Sequence, residues 1–337
     1  MQRREFIGLL GSAAACPLAA RAQQPESVPR IGFLTGLSDE DPEAKARLTA
    51  FRKGLAERGW TVGRNVLADY RAAGRDPDRY RKYAEDLVAL RPEVLVAGGT
   101  PALEALQQVA RRVPIVFANA TDPAGDGYLA RLARPGRNTT GILNFESRFA
   151  WKWLELLKQL APRVTRVAVV RSTTSTAIRQ MNSLQSQAPR LGVQLTALAD
   201  HDPGEIERGI TAFAYGPGDG LIVTSQLERS DREQIVTLAA LARVPVVYPF
   251  RRYVEEGGLI SYGTDQIEPY RRAAGYVDRI LNGERAIDLP VQPMVNYHTV
   301  LNMKTAKALG LEISPQVLAR VDEVIEQATV ILSRADC

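Results

Sequence analysis

The sequence predicts an α/β protein of two similar, doubly wound parallel-sheet lobes joined by a multi-strand hinge. Three observations carry that prediction. Residues 112–120 read RVPIVFANA and residues 243–251 read RVPVVYPFR, each a Val-Pro followed by a short β-branched and aromatic run. The flanks repeat in the same order: RIGFL at 30 with RVAVV at 166, EVLVAGG at 93 with DGLIVTS at 219, and GILNF at 141 with GLISY at 258. Between these runs lie segments with helical apolar spacing, so strand and helix alternate through both halves.

In the first lobe, short runs at 31–34, 66–70, 94–97 and 115–117 suit buried parallel strands. Asp41-Pro42, Asp76-Pro77, Thr100-Pro101 and Asp122-Pro123 each set a capping oxygen before a proline at the first helical position. The helical stripes after them are Ala44, Leu48, Phe51, Leu55, then Tyr80, Tyr83, Leu87, Leu90, then Leu103, Leu106, Val109. Leu143-Asn144-Phe145 ends this lobe, and a helix at 151–160 opens the second. There the alternation repeats, with strands at 167–170, 194–198, 221–223 and 246–248 and helices between them. Asp202 to Glu205 and Ser230 to Glu233 have capping-box spacing. A helix at 270–281 ends at Asn282-Gly283, and a Pro-interrupted extended segment spans 289–295. A strand at 299–303 and a last amphipathic helix from Pro315 complete the pattern. The expected lobes are 28–143 plus 264–290, and 144–263 plus 291–337.

The chain has 337 residues, 45% hydrophobic and 24% charged, which is ordinary for a globular protein of two lobes. Residues 1–22 read as an export signal: Arg3-Arg4, an apolar stretch at 6–18, and Ala20-Arg21-Ala22 at the cleavage position. The run RREFI resembles a twin-arginine signal. Cys16 lacks the preceding Leu of a lipoprotein site and is followed by Pro17. Cleavage after Ala22 lowers the formal charge from +5 to +3, an excess that gives no argument for nucleic acid. Cys16 would leave with the signal, so Cys337 has no partner for an internal disulfide. The expected place is the periplasm.

Ligands of open α/β sheets sit beyond the carboxyl ends of the strands. Those positions hold Thr35-Gly36-Leu37, Gly98-Gly99-Thr100, Asn119-Ala120-Thr121-Asp122, Ser172-Thr173-Thr174-Ser175, Thr224-Ser225-Gln226 and Pro249-Phe250. Hydroxyls, amides and glycines suit hydrogen bonding to a small polar molecule. Gly98-Gly99-Thr100-Pro101 sets amides and a hydroxyl at a helix N-terminus, which favours a carboxylate. Capping of its own helix is the bland alternative for Thr100, as it is for Asp122. Phe145, Tyr248, Phe250 and Tyr262 lie near the seam, either to stack on a flat ligand group or to pack in the core. His201 and His298 stand apart with no metal-ligand spacing, and no nucleophile elbow, P-loop or dinucleotide fingerprint occurs. The chain is therefore expected to be no enzyme and to use no metal or cofactor.

The stretches PRIGFLTG, AFRKGLAERGWTVGRNV, VLVAGGTPALEAL, PIVFANATDPAGDGYLARLARPGRNTTGILNF, WLELLKQLAPRVTRVAVV, VPVVYPFRRYVEEGGLISYGTD, YVDRILNGERAIDLPVQ and NMKTAKALGLEI carry a family likeness. The sequence resembles the extracytoplasmic substrate-binding proteins of ABC transporters with the type I periplasmic-binding fold, in particular the tryptophan/tyrosine-type binding proteins. That resemblance implies two lobes linked by three crossovers that clasp a ligand and present it to a permease. The expected partners are a small amino-acid-like or aromatic carboxylate and an inner-membrane ABC permease, with no nucleic acid and a monomeric chain. The ligand contacts it implies are Thr35, Gly36, Gly99, Thr100, Asn119, Thr121, Asp122, Ser172, Thr173, Ser225, Phe250 and Tyr262. The polar stretch at 172–175 departs from the Asn-Pro type loop of many relatives. A ligand-binding sensor feeding a membrane receptor is the alternative role.

Overall fold

A computed structural model describes residues 28–74, 76–121, 138–144, 149–200, 203–213, 216, 218–224, 227 and 229–326. The first half forms strands β1 (Arg30–Thr35), β2 (Leu67–Ala72), β3 (Val94–Gly98), β4 (Ile115–Ala120) and β5 (Thr139–Leu143). The second forms β6 (Arg166–Arg171), β7 (Gln194–Ala199), β8 (Asp219–Val223), β9 (Val246–Tyr248) and β10 (Ile260–Thr264). Three later strands, β11 (Gln292–Pro293), β12 (Tyr297–Asn302) and β13 (Glu323–Ile325), extend the sheets. The first sheet runs β11-β5-β4-β3-β1-β2 and the second β13-β12-β10-β9-β8-β6-β7. Stripped of the late strands, the two orders are the same, so the internal repeat of the sequence is a repeat of topology. Every paired strand is parallel except β10 with β12.

Strand alternation explains how both faces of each sheet become buried. In β3, Val94 and Val96 face helices α1 (Pro42–Ala56) and α9 (Glu268–Leu281), while Leu95 and Ala97 face α2 (Pro77–Ala89) and α3 (Thr100–Val109). The second sheet is flanked by α4 (Trp151–Leu160) and α5 (Ser175–Gln187) on one side. On its other side lie α6 (Pro203–Phe213) and α7 (Arg229–Leu241). Each lobe thus has its own two-sided core.

The lobes exchange chain. Helix α4 follows β5 but packs on the second sheet, and α9 follows β10 but packs on the first. The chain crosses again between β11 and β12. Three passages therefore join the lobes, as the type I periplasmic-binding architecture requires. Since Gln292–Pro293 pairs with β5, the edge of the first sheet reaches past residue 290.

The aspartate-proline signals act as caps. Asp41 accepts from the Glu43 amide at 2.7 Å, and Asp76 from the Asp78 amide at 2.9 Å. Helix α7 begins at Arg229, which puts Ser230 inside the first turn instead of at the cap. The tail departs further. After α10 (Met303–Ala308), the expected helix from Pro315 stops at Leu318 as the short α11 (Pro315–Leu318), and β13 adds to the sheet beside β12. Asp322 explains the switch: its carboxylate accepts from the Thr299 amide at 2.7 Å, and its own amide donates to the Thr299 carbonyl at 3.0 Å. Arg251, opening α8 (Arg251–Glu255), then pairs with Glu323 at 2.8 Å.

Candidate functional site

The carboxyl ends of both sheets border one cavity of about 730 Å³. Each strand order reverses beside its first strand, between β1 and β3 and between β6 and β8, and the cavity opens at those two switch points. From the first lobe Thr35, Gly36, Gly99, Thr100, Asn119 and Thr121 reach its wall; from the second come Ser172, Thr173 and Phe250. Asp122 and Ser225 lie outside the described residues. Tyr262 is not on the wall. It stacks on Tyr297 with centroids 5.4 Å apart, and its carbonyl accepts from the Trp153 indole at 2.8 Å. Tyr248 likewise packs on Tyr253 in the second-lobe core.

Two helix N-termini face the cavity from opposite lobes. On the first-lobe side the cap of α3 is Gly99, at φ +96 and ψ 169, a region open to glycine alone. Thr100 therefore caps nothing. Its hydroxyl accepts from the Thr121 amide at 3.0 Å and donates to the Thr121 carbonyl at 3.2 Å, locking the start of α3 to the end of β4. What α3 offers the cavity is backbone: first-turn amides have no intrahelical acceptor. On the second-lobe side Thr174 caps α5, accepting from the Ala177 amide at 3.3 Å, with the Ser172 hydroxyl 2.9 Å from that of Thr174.

Beneath the first-lobe wall lies a polar network that the sequence pattern did not single out. Arg47, only 3% exposed, bonds to Glu43 at 2.5 Å and to the Gln266 side chain at 3.3 Å. Gln266 in turn exchanges hydrogen bonds with Asn144 at 3.1 and 3.2 Å, and Asn144 accepts from the Thr264 hydroxyl. Burial works against the Arg47 charge, but Glu43 and Tyr270 outweigh it, so the guanidinium pKa lies above its ordinary value. Burial also raises the Tyr270 hydroxyl, which stays neutral. Arg47, Asn144, Tyr80, Gln180 and Asp200 join the cavity wall without having been expected there. Arg47 had a readable sign, a charge within the buried helical stripe where Leu48 is only half-buried. Asp200 comes directly after β7, a strand end outside the expected set.

A second charged cluster bridges the lobes. Arg232 of α7, 2% exposed, reaches Asp41 at 3.3 Å, Glu256 at 3.2 Å and the Leu227 carbonyl at 2.7 Å. Burial raises the Glu256 carboxyl above its ordinary value, although Arg232 opposes that shift. Among the described residues, no three His, Cys, Asp or Glu side chains gather as a metal site, and no helix is long and apolar enough to cross a membrane.

The sequence profile of the family described as "ABC transporter substrate binding protein" matches residues 38–325. The chain belongs to that family. Substrate-binding proteins of this family take up a small molecule outside the cytoplasm and work with an ABC permease. One relative is the "Tyrosine-binding protein" of Clostridioides difficile, 25% identical over 280 residues, 81% of this chain and 79% of the relative. A conserved domain protein from Vibrio cholerae superposes with a TM-score of 0.79 at 27% identity, covering 88% of this chain and all of that one. An ABC domain from Streptococcus pneumonia, solved in complex with L-Trp, gives 0.77 at 25% identity, covering 89% of this substrate-binding chain and 100% of its own. The resemblance read in the sequence and the two-lobed fold are both borne out.

Proposed function

We propose that this substrate-binding protein clasps an amino-acid-like or aromatic carboxylate between its lobes and delivers it to an inner-membrane permease. The observation that carries this reading is the cavity faced from opposite lobes by the N-termini of α3 and α5. Two such termini favour an anionic group, and the hydroxyl and amide side chains between them suit its polar neighbours. The tyrosine-binding relative and the L-Trp complex support the same ligand class. Contacts are assigned to Thr35, Gly36, Gly99, Thr100, Asn119 and Thr121 on one side, and to Ser172, Thr173 and Phe250 on the other. The lobes are assigned as 28–143 plus 264–290 and 144–263 plus 291–337, except that Gln292–Pro293 belongs to the first sheet, with residues 1–22 directing export to the periplasm. The protein acts as a monomer and performs no reaction of its own.

A thermal-shift screen of amino acids and aromatic carboxylates tests the ligand class. A true ligand at a hundredfold excess over its dissociation constant stabilises the protein by about 2.7 kcal/mol. Mass spectrometry of the small molecules released on denaturation gives an independent identification. If sugars or polyols shift the melt and no carboxylate does, the proposed class is wrong.

A further inference from the structure

We infer that Asp41 and Glu43 of the first lobe and Arg232 and Arg252 of the second form an ionic latch that holds the lobes together and sets how long a bound ligand is retained. This goes beyond the proposed function while resting on its clasping action, and it holds whichever small molecule is clasped. Among the described residues, every ion pair between the lobes ends on Asp41 or Glu43. Arg232 stands 3.3 Å from Asp41 and 3.9 Å from Glu43, and Arg252 stands 3.8 Å from Glu43. Asp41 caps α1 and Glu43 lies in its first turn, while Arg232 lies near the start of α7 and Arg252 near the start of α8. Each of these helices follows a strand of its sheet, so the latch joins the two rims that face one another.

Burial and charge make this contact more than surface pairing. The Arg232 and Asp41 side chains are 2% and 1% exposed and that of Glu43 is 7% exposed. Within each lobe the charges of the cluster do not balance. In the first, Glu43 is matched by Arg47, which leaves the charge of Asp41 in excess. In the second, Glu256 is matched by Arg232, which leaves that of Arg252 in excess. One group therefore carries a net negative charge and the other a net positive charge, and the cluster becomes neutral when the lobes meet.

The energetics suit a clasp that must also release. When the lobes part, both groups return to water, and the hydration they regain offsets much of the attraction they lose. The intact latch is therefore reversible. Removing one charge penalises the closed state alone, because the remaining charge is then buried without its match, whereas in the open state it is hydrated. The latch is also continuous with the ligand site, since Glu43 bonds on its other oxygen to Arg47 of the cavity wall. Asp41, Glu43, Arg232 and Arg252 thus act as positioning residues: they govern the ligand through the approach of the lobes that enclose it.

The test uses the full chain and two variants that spare the fold. Asn caps a helix as well as Asp, so Asp41→Asn keeps an acceptor for the Glu43 amide and removes the charge facing Arg232. Arg252→Gln changes a partly exposed side chain. Arg229→Gln is the control: it removes the same charge from α7, but its partner Glu233 lies on that same helix. Small-angle scattering without ligand should give a larger radius of gyration for Asp41→Asn and Arg252→Gln and no change for Arg229→Gln. Circular dichroism reports folding, and if Asp41→Asn is unfolded, Arg252→Gln decides alone. With L-tyrosine and L-tryptophan as probes, stopped-flow dissociation should be at least ~5-fold faster in Asp41→Asn than in the wild type. An unchanged radius in the folded latch variants, or an equal increase in Arg229→Gln, overturns the latch. A larger radius with unchanged dissociation overturns its part in retention. If neither amino acid binds the wild type, the proposed ligand class fails, and scattering still decides whether the latch exists.

Discussion

Replacing Arg232 by Met should destabilise the protein far more than a surface arginine would. The guanidinium is 2% exposed, hydrogen-bonds two carboxylates and one carbonyl, and stands 3.9 Å from a third carboxylate, that of Glu43. Asp41 keeps its bond to the Glu43 amide, and Glu43 keeps Arg47. Glu256 loses its closest cation and is left in a site whose burial already disfavours its charge. Removing one partner of a buried pair costs about 3–5 kcal/mol, which reads as a fall in melting temperature on the order of 10 °C. The sign with pH is set by Glu256. Its folded pKa is raised, so the native state binds the proton more readily than the unfolded chain, and this contribution fades as pH rises through the folded value. Loss of Arg232 raises that pKa further, so the variant's deficit should grow from acid toward neutral pH. Because Asp41 and Glu43 belong to the first lobe and Arg232 and Glu256 to the second, contact between lobes weakens too. Small-angle scattering should show a larger radius of gyration. A stability change below about 1 kcal/mol at neutral pH, measured by denaturant or heat, would refute the reasoning.

Gly141→Ala should destabilise by about 3 kcal/mol, since Gly141 has φ +151 and an added Cβ would lie 2.2 Å from the Phe117 carbonyl oxygen; chemical denaturation measures it. Gln266→Leu should lose about 1–3 kcal/mol by stranding the Asn144 and Arg47 groups that Gln266 serves, whereas Ser172→Ala should change stability by less than ~0.5 kcal/mol. Equal melts for those two variants would contradict the network. The Arg251 pair holds the Glu323 carboxyl below its ordinary range, so its stabilisation is present above the unfolded value and lost as pH falls through the folded one. With both side chains nearly half exposed it is worth less than ~1 kcal/mol, and carboxyl NMR should show the Glu323 value rising in Arg251→Ala.

The fold was legible because its signals are local. Val-Pro runs, aspartate-proline caps and alternating strands depend on neighbours in sequence, and the two copies reinforced one another. The frame of the site came from the same logic, since strand ends in an open sheet must gather at one rim. The features that escaped depend on partners distant in the chain. Thr100 looked like a cap because capping is the usual work of a hydroxyl before a proline. Its actual partner, the Thr121 backbone, belongs to the next strand. Arg47 and Gln266 are ordinary polar residues until the crossovers bring α1, β5 and the end of β10 together. The tail misled for the same reason: its spacing suits a helix, and only the Thr299 backbone offers Asp322 a better arrangement.

The repeated Val-Pro strand ends in different chemistry in its two copies, and the structure gives that difference a physical meaning. In the first lobe Asn119 is tied to Gln266, which is tied to Asn144 and Arg47, so the polar wall is fixed to the crossover after β10. In the second, Ser172 and Thr174 bond to each other within their own loop, and Phe250 adds an apolar side chain to the wall. Ordering side chains on binding costs free energy that a pre-tied wall has already met during folding. The first lobe is therefore suited to discriminate among polar heads, and the second to adapt to the body of the ligand. On this argument family members can vary in ligand by changing the second-lobe loop at 172–175 while the first-lobe network stays intact.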